Sequence, residues 1–73
     1  MTVDIFHTNG EITRVSNFKK LCFWKDRGAT EVFADNIDQF LLDQVNERLS
    51  ITFIGDSVVT ILKENIESLV FSK

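Results

Sequence analysis

Residues 50–71 read SITFIGDSVVTILKENIESLVF, and this stretch decides the fold class. From 50 to 54 apolar and polar side chains alternate, which is the two-residue period of a half-buried strand. Gly55-Asp56 then matches the loop of a type II′ hairpin, in which the glycine takes a positive φ. The β-branched run Val58–Leu62 suits the return strand. A polar corner and a further strand follow, so the stretch predicts strand, tight turn, strand, corner, strand.

A seven-residue pattern occurs at the end of this stretch and at two other places. It consists of Asn, an apolar residue, two polar residues, an apolar residue, any residue, and Phe. The sequences NIESLVF at 65–71 and NFKKLCF at 17–23 match it, and NIDQFLL at 36–42 is a looser copy. Asn suits a corner because its side chain bonds nearby backbone amides and because it tolerates a left-handed φ. We therefore predict a repeated unit of strand, corner at Asn, and strand.

The N-terminal segment predicts one more hairpin. Residues 3–8 and 11–16 read as two strands, and the Asn9-Gly10 pair between them is typical of a type I′ turn. About eight short strands then fill a single domain over residues 1–73. The predicted fold is all-β, a small sandwich or partly closed barrel of short antiparallel strands.

Residues 36–49 also fit a helix, which gives an alternative fold. Apolar residues recur there close to the 3.6-residue period, with Asp35 or Asn36 as a candidate N-cap. The apolar positions are Ile37, Phe40, Leu41, Val45 and Leu49. The repeated unit favours a strand followed by a loop at 45–48. The helical alternative is an α+β meander with one helix across the sheet.

The small size and the composition limit how this domain is stabilised. The chain has 73 residues with one cysteine, Cys22, and one histidine, His7. An internal disulfide and a closed four-ligand zinc site are therefore not expected. Hydrophobic residues make up 44% of the chain, which supports an efficient core. Self-association is the remaining means of stabilising so small a fold, and we predict it.

Hydropathy and charge predict a cytoplasmic protein that does not contact membranes. No basic segment leads into an apolar run after Met1, so a signal peptide is not expected. No apolar stretch approaches the roughly 20 residues that span a bilayer. The net charge is −3, and it is unevenly spread along the chain. Residues 1–34 carry five Lys and Arg against four acids, whereas residues 35–73 carry three Lys and Arg against seven acids.

No arrangement of reactive side chains predicts an enzyme, a cofactor or a metal site. His7 lacks a positioned nucleophile and an oxyanion site, so a hairpin-end histidine is the interpretation. Cys22 lies between apolar residues and is interpreted as a small core side chain. The acids between 35 and 47 lack the spacing of a calcium loop, and the isolated glycines form no phosphate-binding loop.

Residues 18–27 carry the candidate binding residues. Aromatic and cationic side chains interleave there, as in small β-barrels that stack bases on aromatics while cations contact phosphates. The candidates are Phe18, Lys19, Lys20, Trp24, Lys25 and Arg27. Single-stranded nucleic-acid binding is therefore an alternative function. Four cations within an acidic chain are a small footprint, which argues against nucleic acid.

The units at 17–23 and 65–71 resemble those of small uncharacterised all-β accessory proteins encoded by phages and mobile elements of Gram-positive bacteria. The opening hairpin with its His-Thr-Asn-Gly turn and the closing Glu-Asn-Ile-Glu-Ser-Leu share this resemblance. It implies an accessory protein that binds and inhibits or modulates a host factor. We therefore predict a non-catalytic protein-interaction module.

The strand Val58–Leu62 indicates where self-association takes place. It carries apolar side chains on both faces, so a second sheet, a helix at 36–49 or another subunit must cover the face that the core does not. The strand at 67–71 is the predicted sheet edge, which two subunits would pair across a two-fold axis. A nucleotide-like small ligand held between subunits is a further alternative.

Overall fold

The strands of this protein form two antiparallel sheets, as seen in a computed structural model that describes residues 1–25 and 27–73. Seven strands form within these residues. They are β1 (Thr2–His7), β2 (Ile12–Val15), β3 (Lys20–Lys25), β4 (Gly28–Phe33), β5 (Ser50–Ile54), β6 (Val58–Leu62) and β7 (Ile66–Ser72). The strand order is β2-β1-β7 in one sheet and β4-β3-β5-β6 in the other. The prediction of a small all-β sandwich is confirmed.

The core lies between the two sheets, because alternate side chains of each strand point inward. Its buried members come from both sheets and from the connection between β4 and β5. They are Val3, Ile5, Val15, Phe18, Leu21, Phe23, Phe40, Val45, Ile51, Phe53, Ile61 and Ile66. The Phe18 ring lies 5.4 Å from that of Phe71, and the Phe23 ring lies 5.6 Å from that of Phe40. Aromatic contacts therefore join β7 to the segment between β2 and β3, and β3 to the connection between β4 and β5.

Two of the three predicted Asn corners are followed by a strand. Asn17 has a φ of 50° and turns the chain from β2 of one sheet toward β3 of the other. Asn65 ends the 3₁₀ turn Lys63–Asn65, which brings the chain from β6 back to β7. At both corners the chain changes sheet.

The third copy, at 36–42, does not form the predicted strand, and residues 36–49 do not form the alternative α-helix. Two 3₁₀ turns, Ala34–Gln39 and Leu42–Gln44, occupy this connection. Its buried side chains are Phe40 and Val45, five residues apart. On a strand they would face opposite sides, and on an α-helix they would lie about 140° apart. Neither a straight strand nor an α-helix would therefore bury both side chains on one side. The irregular backbone of this segment does bury both.

Both predicted hairpins form, but their turns differ from the predicted types. At the first, His7 donates its backbone N–H to Glu11 O (2.8 Å) and Gly10 donates to His7 O (3.0 Å). Only Gly10 of this loop has a positive φ, of 92°. This is a three-residue loop that ends in a left-handed glycine, and a type I′ turn would need positive φ at Asn9 as well.

The turn between β5 and β6 also has three residues, 55–57, since Ile54 pairs with Val58. Gly55 does not adopt the positive φ of a type II′ turn. It is needed for space, because a Cβ there would lie 2.6 Å from the backbone oxygen of Ser16 and 2.9 Å from that of Asn17. The turn therefore packs directly against the Asn17 corner.

Candidate functional site

The four-stranded sheet presents a broad face to solvent on the side opposite the core. Leu21 and Phe23 of β3 point inward, so their strand neighbours point outward. The strand registers extend this outward set across all four strands. We call this surface the outer face, and it consists of Lys20, Cys22, Trp24, Ala29, Glu31, Phe33, Ser50, Thr52, Ile54, Val58, Thr60 and Leu62.

Large apolar side chains on the outer face are exposed to water. Trp24 is 52% exposed, Phe33 51% and Val58 67%. Ile54 and Leu62 on the same face are half-buried. The register aligns Phe33 with Lys20, Lys20 with Ile54, and Ile54 with Val58. A row of four side chains therefore crosses the whole sheet, and three of them are apolar. We call it the apolar row, and it consists of Phe33, Lys20, Ile54 and Val58.

Four polar side chains of the outer face are paired with each other. Lys20 forms an ion pair with Glu31, and its Nζ lies 5.4 Å from the centroid of the Phe33 ring. The hydrogen bond to Glu31 raises the pKa of Lys20, so its ammonium group stays charged. The hydroxyl groups of Thr52 and Thr60 lie 3.0 Å apart and share a hydrogen bond. The face therefore offers a partner mainly apolar contact.

The three-stranded sheet has a less apolar outward surface. There Arg14 donates a hydrogen bond from Nε to Asp4 Oδ1 at 2.7 Å, across the middle of the β1–β2 pair. The hydrogen bond from Arg14 lowers the pKa of Asp4. Ile12 and Val70 are its exposed large apolar side chains. The outer face is the better candidate for binding another protein.

The structure does not bring the six predicted binding residues together. Lys20 and Trp24 lie on the outer face, whereas Phe18 is buried in the core and has no surface on which a base could stack. Lys19 is exposed beside the Asn17 corner. Lys25 is exposed at the end of β3, and Arg27 is exposed in the β3–β4 turn, where Asp26 lies outside the described residues.

Two grooves are present among the described residues. The first, of about 310 Å³, borders the outer face at Glu31 and Phe33, and its other lining includes Phe23 and the polar side chains of Lys25, Asn36, Gln39 and Gln44. The second, of about 400 Å³, runs between β7 and the 3₁₀ connection, and we call it the β7 groove. Its lining is Ile37, Asp38, Phe40, Leu41, Leu42, Glu67, Ser68, Leu69 and Phe71. Sequence reasoning did not identify either groove, although the amphipathic character of 36–49 signalled that this segment packs on the sheet.

His7 and Cys22 occupy structural positions. The Nε2 atom of His7 lies 2.8 Å from Thr13 Oγ1, in hydrogen-bonding contact across the first hairpin. Cys22 is half-buried on the outer face, so its interpretation as a core side chain was wrong.

Among residues 1–25 and 27–73, no three His, Cys, Asp or Glu side chains are grouped so that they could hold a metal ion. None of the helical turns in the described part of the chain is long and apolar enough to cross a membrane.

Comparison with protein families, curated proteins and solved structures finds no match to this chain.

Proposed function

We propose that this protein is a non-catalytic interaction module that binds another protein through its outer face. The observation that carries the proposal is the exposure of Trp24, Phe33 and Val58 together on that one face. Exposed apolar groups gathered on one surface favour association, because contact with a partner removes them from water. Aromatic side chains such as Trp24 are also enriched among the residues that dominate binding energy.

Self-association is the second part of the proposal. In the free protein the apolar row of one copy buries the same row of a second copy, and a partner protein displaces that copy. The sequence offered two places for self-association, the second apolar face of Val58–Leu62 and the strand edge at 67–71, and β7 is a sheet edge. We place the dimer contact on the outer face, which includes Val58, because Trp24, Phe33 and Val58 are exposed there and are more exposed than Val70 of β7. The resemblance to phage and mobile-element proteins adds that the partner is a host factor whose surface is blocked.

A pair of matched substitutions tests both parts. Val58 and Ile12 are β-branched, more than half exposed, and lie on edge strands of different sheets. Val58→Thr changes the outer face, and Ile12→Thr is the control on the other sheet. Both variants should fold with free energies of unfolding within about 0.5 kcal/mol of the wild type.

Sedimentation equilibrium at micromolar concentration should show a wild-type mass above the 8.4 kDa of one chain. Val58→Thr loses about 1 kcal/mol of burial in each copy, which raises the dimer dissociation constant roughly thirtyfold. Ile12→Thr should leave it unchanged. A wild-type mass of a single chain at all concentrations would refute the self-association.

Partner binding is tested by capture from a host lysate treated with nuclease. A specific protein should be retained by the wild type and by Ile12→Thr, and lost with Val58→Thr. Retention that disappears on nuclease treatment would instead support binding through nucleic acid. Equal retention by the two variants would show that the outer face is not the docking surface.

A further inference from the structure

The outward edge of β7 has unpaired backbone groups. Antiparallel pairing with β1 satisfies one side of the strand from Thr2 opposite Ser72 to Phe6 opposite Ser68. β7 is the last strand of its sheet. In the described part of the chain, no loop or turn donates a backbone hydrogen bond to Ile66–Ser72 or accepts one from it. A free strand edge of this kind is a template for another extended segment.

The strand with this free edge also lines the β7 groove, and most of that lining is apolar. Leu69 and Phe71, which point toward the core side, form one wall, and Leu41 and Leu42 belong to the opposite wall. Leu41 is 63% exposed. Side chains on one face of an added strand recur every second residue, about 6.8 Å apart. Two apolar side chains in such positions would fit against Leu69 and Phe71.

Two acidic side chains also line the β7 groove. Glu67 precedes Leu69 and Phe71 on β7, and Asp38 belongs to the 3₁₀ connection. The ion pairs formed among the described residues, Arg14–Asp4 and Lys20–Glu31, involve neither acid. Residues 35–73 as a whole carry seven acids against three Lys and Arg. A second copy of β7 would bring a further Glu67 together with one cation, Lys73, which follows the strand. A basic segment brings a cation without a further acid, so the charge favours it over a second copy.

We propose that the β7 groove binds an extended segment of a partner protein as an additional strand on β7. The segment carries two apolar side chains two residues apart and, two residues further on the same face, a Lys or Arg beside Glu67 in the groove that Asp38 also lines. Backbone hydrogen bonds to β7 supply affinity, and the apolar and acidic residues of the groove select the side chains. This site is separate from the outer face and goes beyond the proposed function.

Designed peptides test the side-chain pattern. The probe is fluorescently labelled Thr-Lys-Thr-Val-Thr-Val-Thr-Lys-Thr, which presents Lys, Val, Val and Lys on one face and so fits in either strand direction. Its control has Glu in place of both Lys residues. Fluorescence anisotropy should detect the Lys peptide and not the Glu peptide. No binding of the Lys peptide at ~1 mM would refute the proposal.

Charge-reversal variants locate the bound peptide. Glu67→Lys and Asp38→Lys should each weaken binding about tenfold, because attraction is replaced by repulsion. Glu47→Lys changes the net charge equally at an exposed position outside the groove, so it should leave affinity within about twofold. Equal weakening by Glu47→Lys would show non-specific attraction and overturn the site. The outer-face variant Val58→Thr should bind the peptide like the wild type, which separates this proposal from the proposed function.

Backbone methylation tests strand addition itself. Two further peptides keep only the first Lys, the second being replaced by Thr, so that a single strand direction places the Lys beside Glu67. They carry N-methyl groups either on the two Val residues or on the Thr residues that precede them. Amides of successive residues point to opposite sides of a strand, so in that direction only one of the two sets faces β7. One peptide should lose binding and the other keep it. Equal affinity of the two methylated peptides would refute strand addition.

Discussion

The Asn17 and Asn36 corners begin with the same sequence pattern and lead to different structures. Asn17 has a left-handed φ of 50°, its Nδ2 donates to Asp56 Oδ2 at 2.9 Å, and β3 begins three residues later. Asn36 has φ −117° and ψ 17° inside a 3₁₀ segment, and the chain continues irregularly to β5. The two segments share Asn, apolar, polar, polar and apolar residues, so local preference alone does not account for the difference.

Tertiary partners explain the difference. After Asn17 the chain enters a gap between two strands, where Lys20 pairs with Phe33 on one side and Ile54 on the other. The β5–β6 turn also supports the corner, because Asp56 donates its backbone N–H to Ser16 O at 2.9 Å. After Asn36 no strand position follows, and burial of Phe40 and Val45 determines the path. The pattern thus specifies a corner, and the available sheet partner decides whether a strand follows.

The largest expected effect is at Gly55, which makes the Asn17 corner possible. Gly55→Ala should lower the free energy of unfolding by about 2–3 kcal/mol, because the new Cβ would overlap backbone atoms of 16 and 17. Gly28→Ala is the control, since a Cβ there has no atom within 4 Å. It should cost nothing or stabilise by up to about 1 kcal/mol. Urea unfolding of both variants measures this, and equal costs would mean that the corner and the turn are not in contact.

A smaller effect is expected at the two Asn residues themselves. Asn17→Ala should cost about 1–2 kcal/mol, because alanine disfavours the left-handed φ and the hydrogen bond to Asp56 is lost. Asn17→Gly should recover most of this, and Asn36→Ala should change stability by no more than about 0.5 kcal/mol. Thermal unfolding of the three variants checks the order. If Asn36→Ala were as costly as Asn17→Ala, the two corners would be equivalent in stability despite their different structures.

The sequence predicted the features that depend on neighbours along the chain. Alternation at 50–54 and the β-branched run Val58–Leu62 indicated strands, and both form. Asn9-Gly10 indicated a hairpin, and Gly10 has the positive φ. The conformation of Gly55 was predicted wrongly, since the need for glycine there comes from the Ser16 backbone, which is distant in sequence.

The candidate site was less accessible to sequence reasoning because it depends on strand register. Trp24, Phe33 and Val58 lie on three different strands, and no local pattern shows that they share a face. Phe18 was predicted to be a binding residue because aromatic and cationic side chains interleave over residues 18–27. It lies just after the left-handed corner, where its ring is buried against Phe71. Whether Phe18 is buried or exposed therefore depends on the path of the chain at Asn17.

The smallest expected effect comes from removing the side-chain hydrogen bond between Asn17 and Asp56, which distinguishes the two corners. Asp56→Ala removes the acceptor of Asn17 Nδ2 but keeps the backbone bond from residue 56 to Ser16 O. Both side chains are exposed, so the loss should be about 0.5 kcal/mol. In the Asn17→Gly background the same substitution should cost close to nothing, because its partner is already absent. Asp35→Ala beside Asn36 is the control and should behave identically in both backgrounds. A double-mutant cycle by urea unfolding measures the coupling, and a coupling of zero would mean that left-handed backbone preference alone selects Asn at position 17.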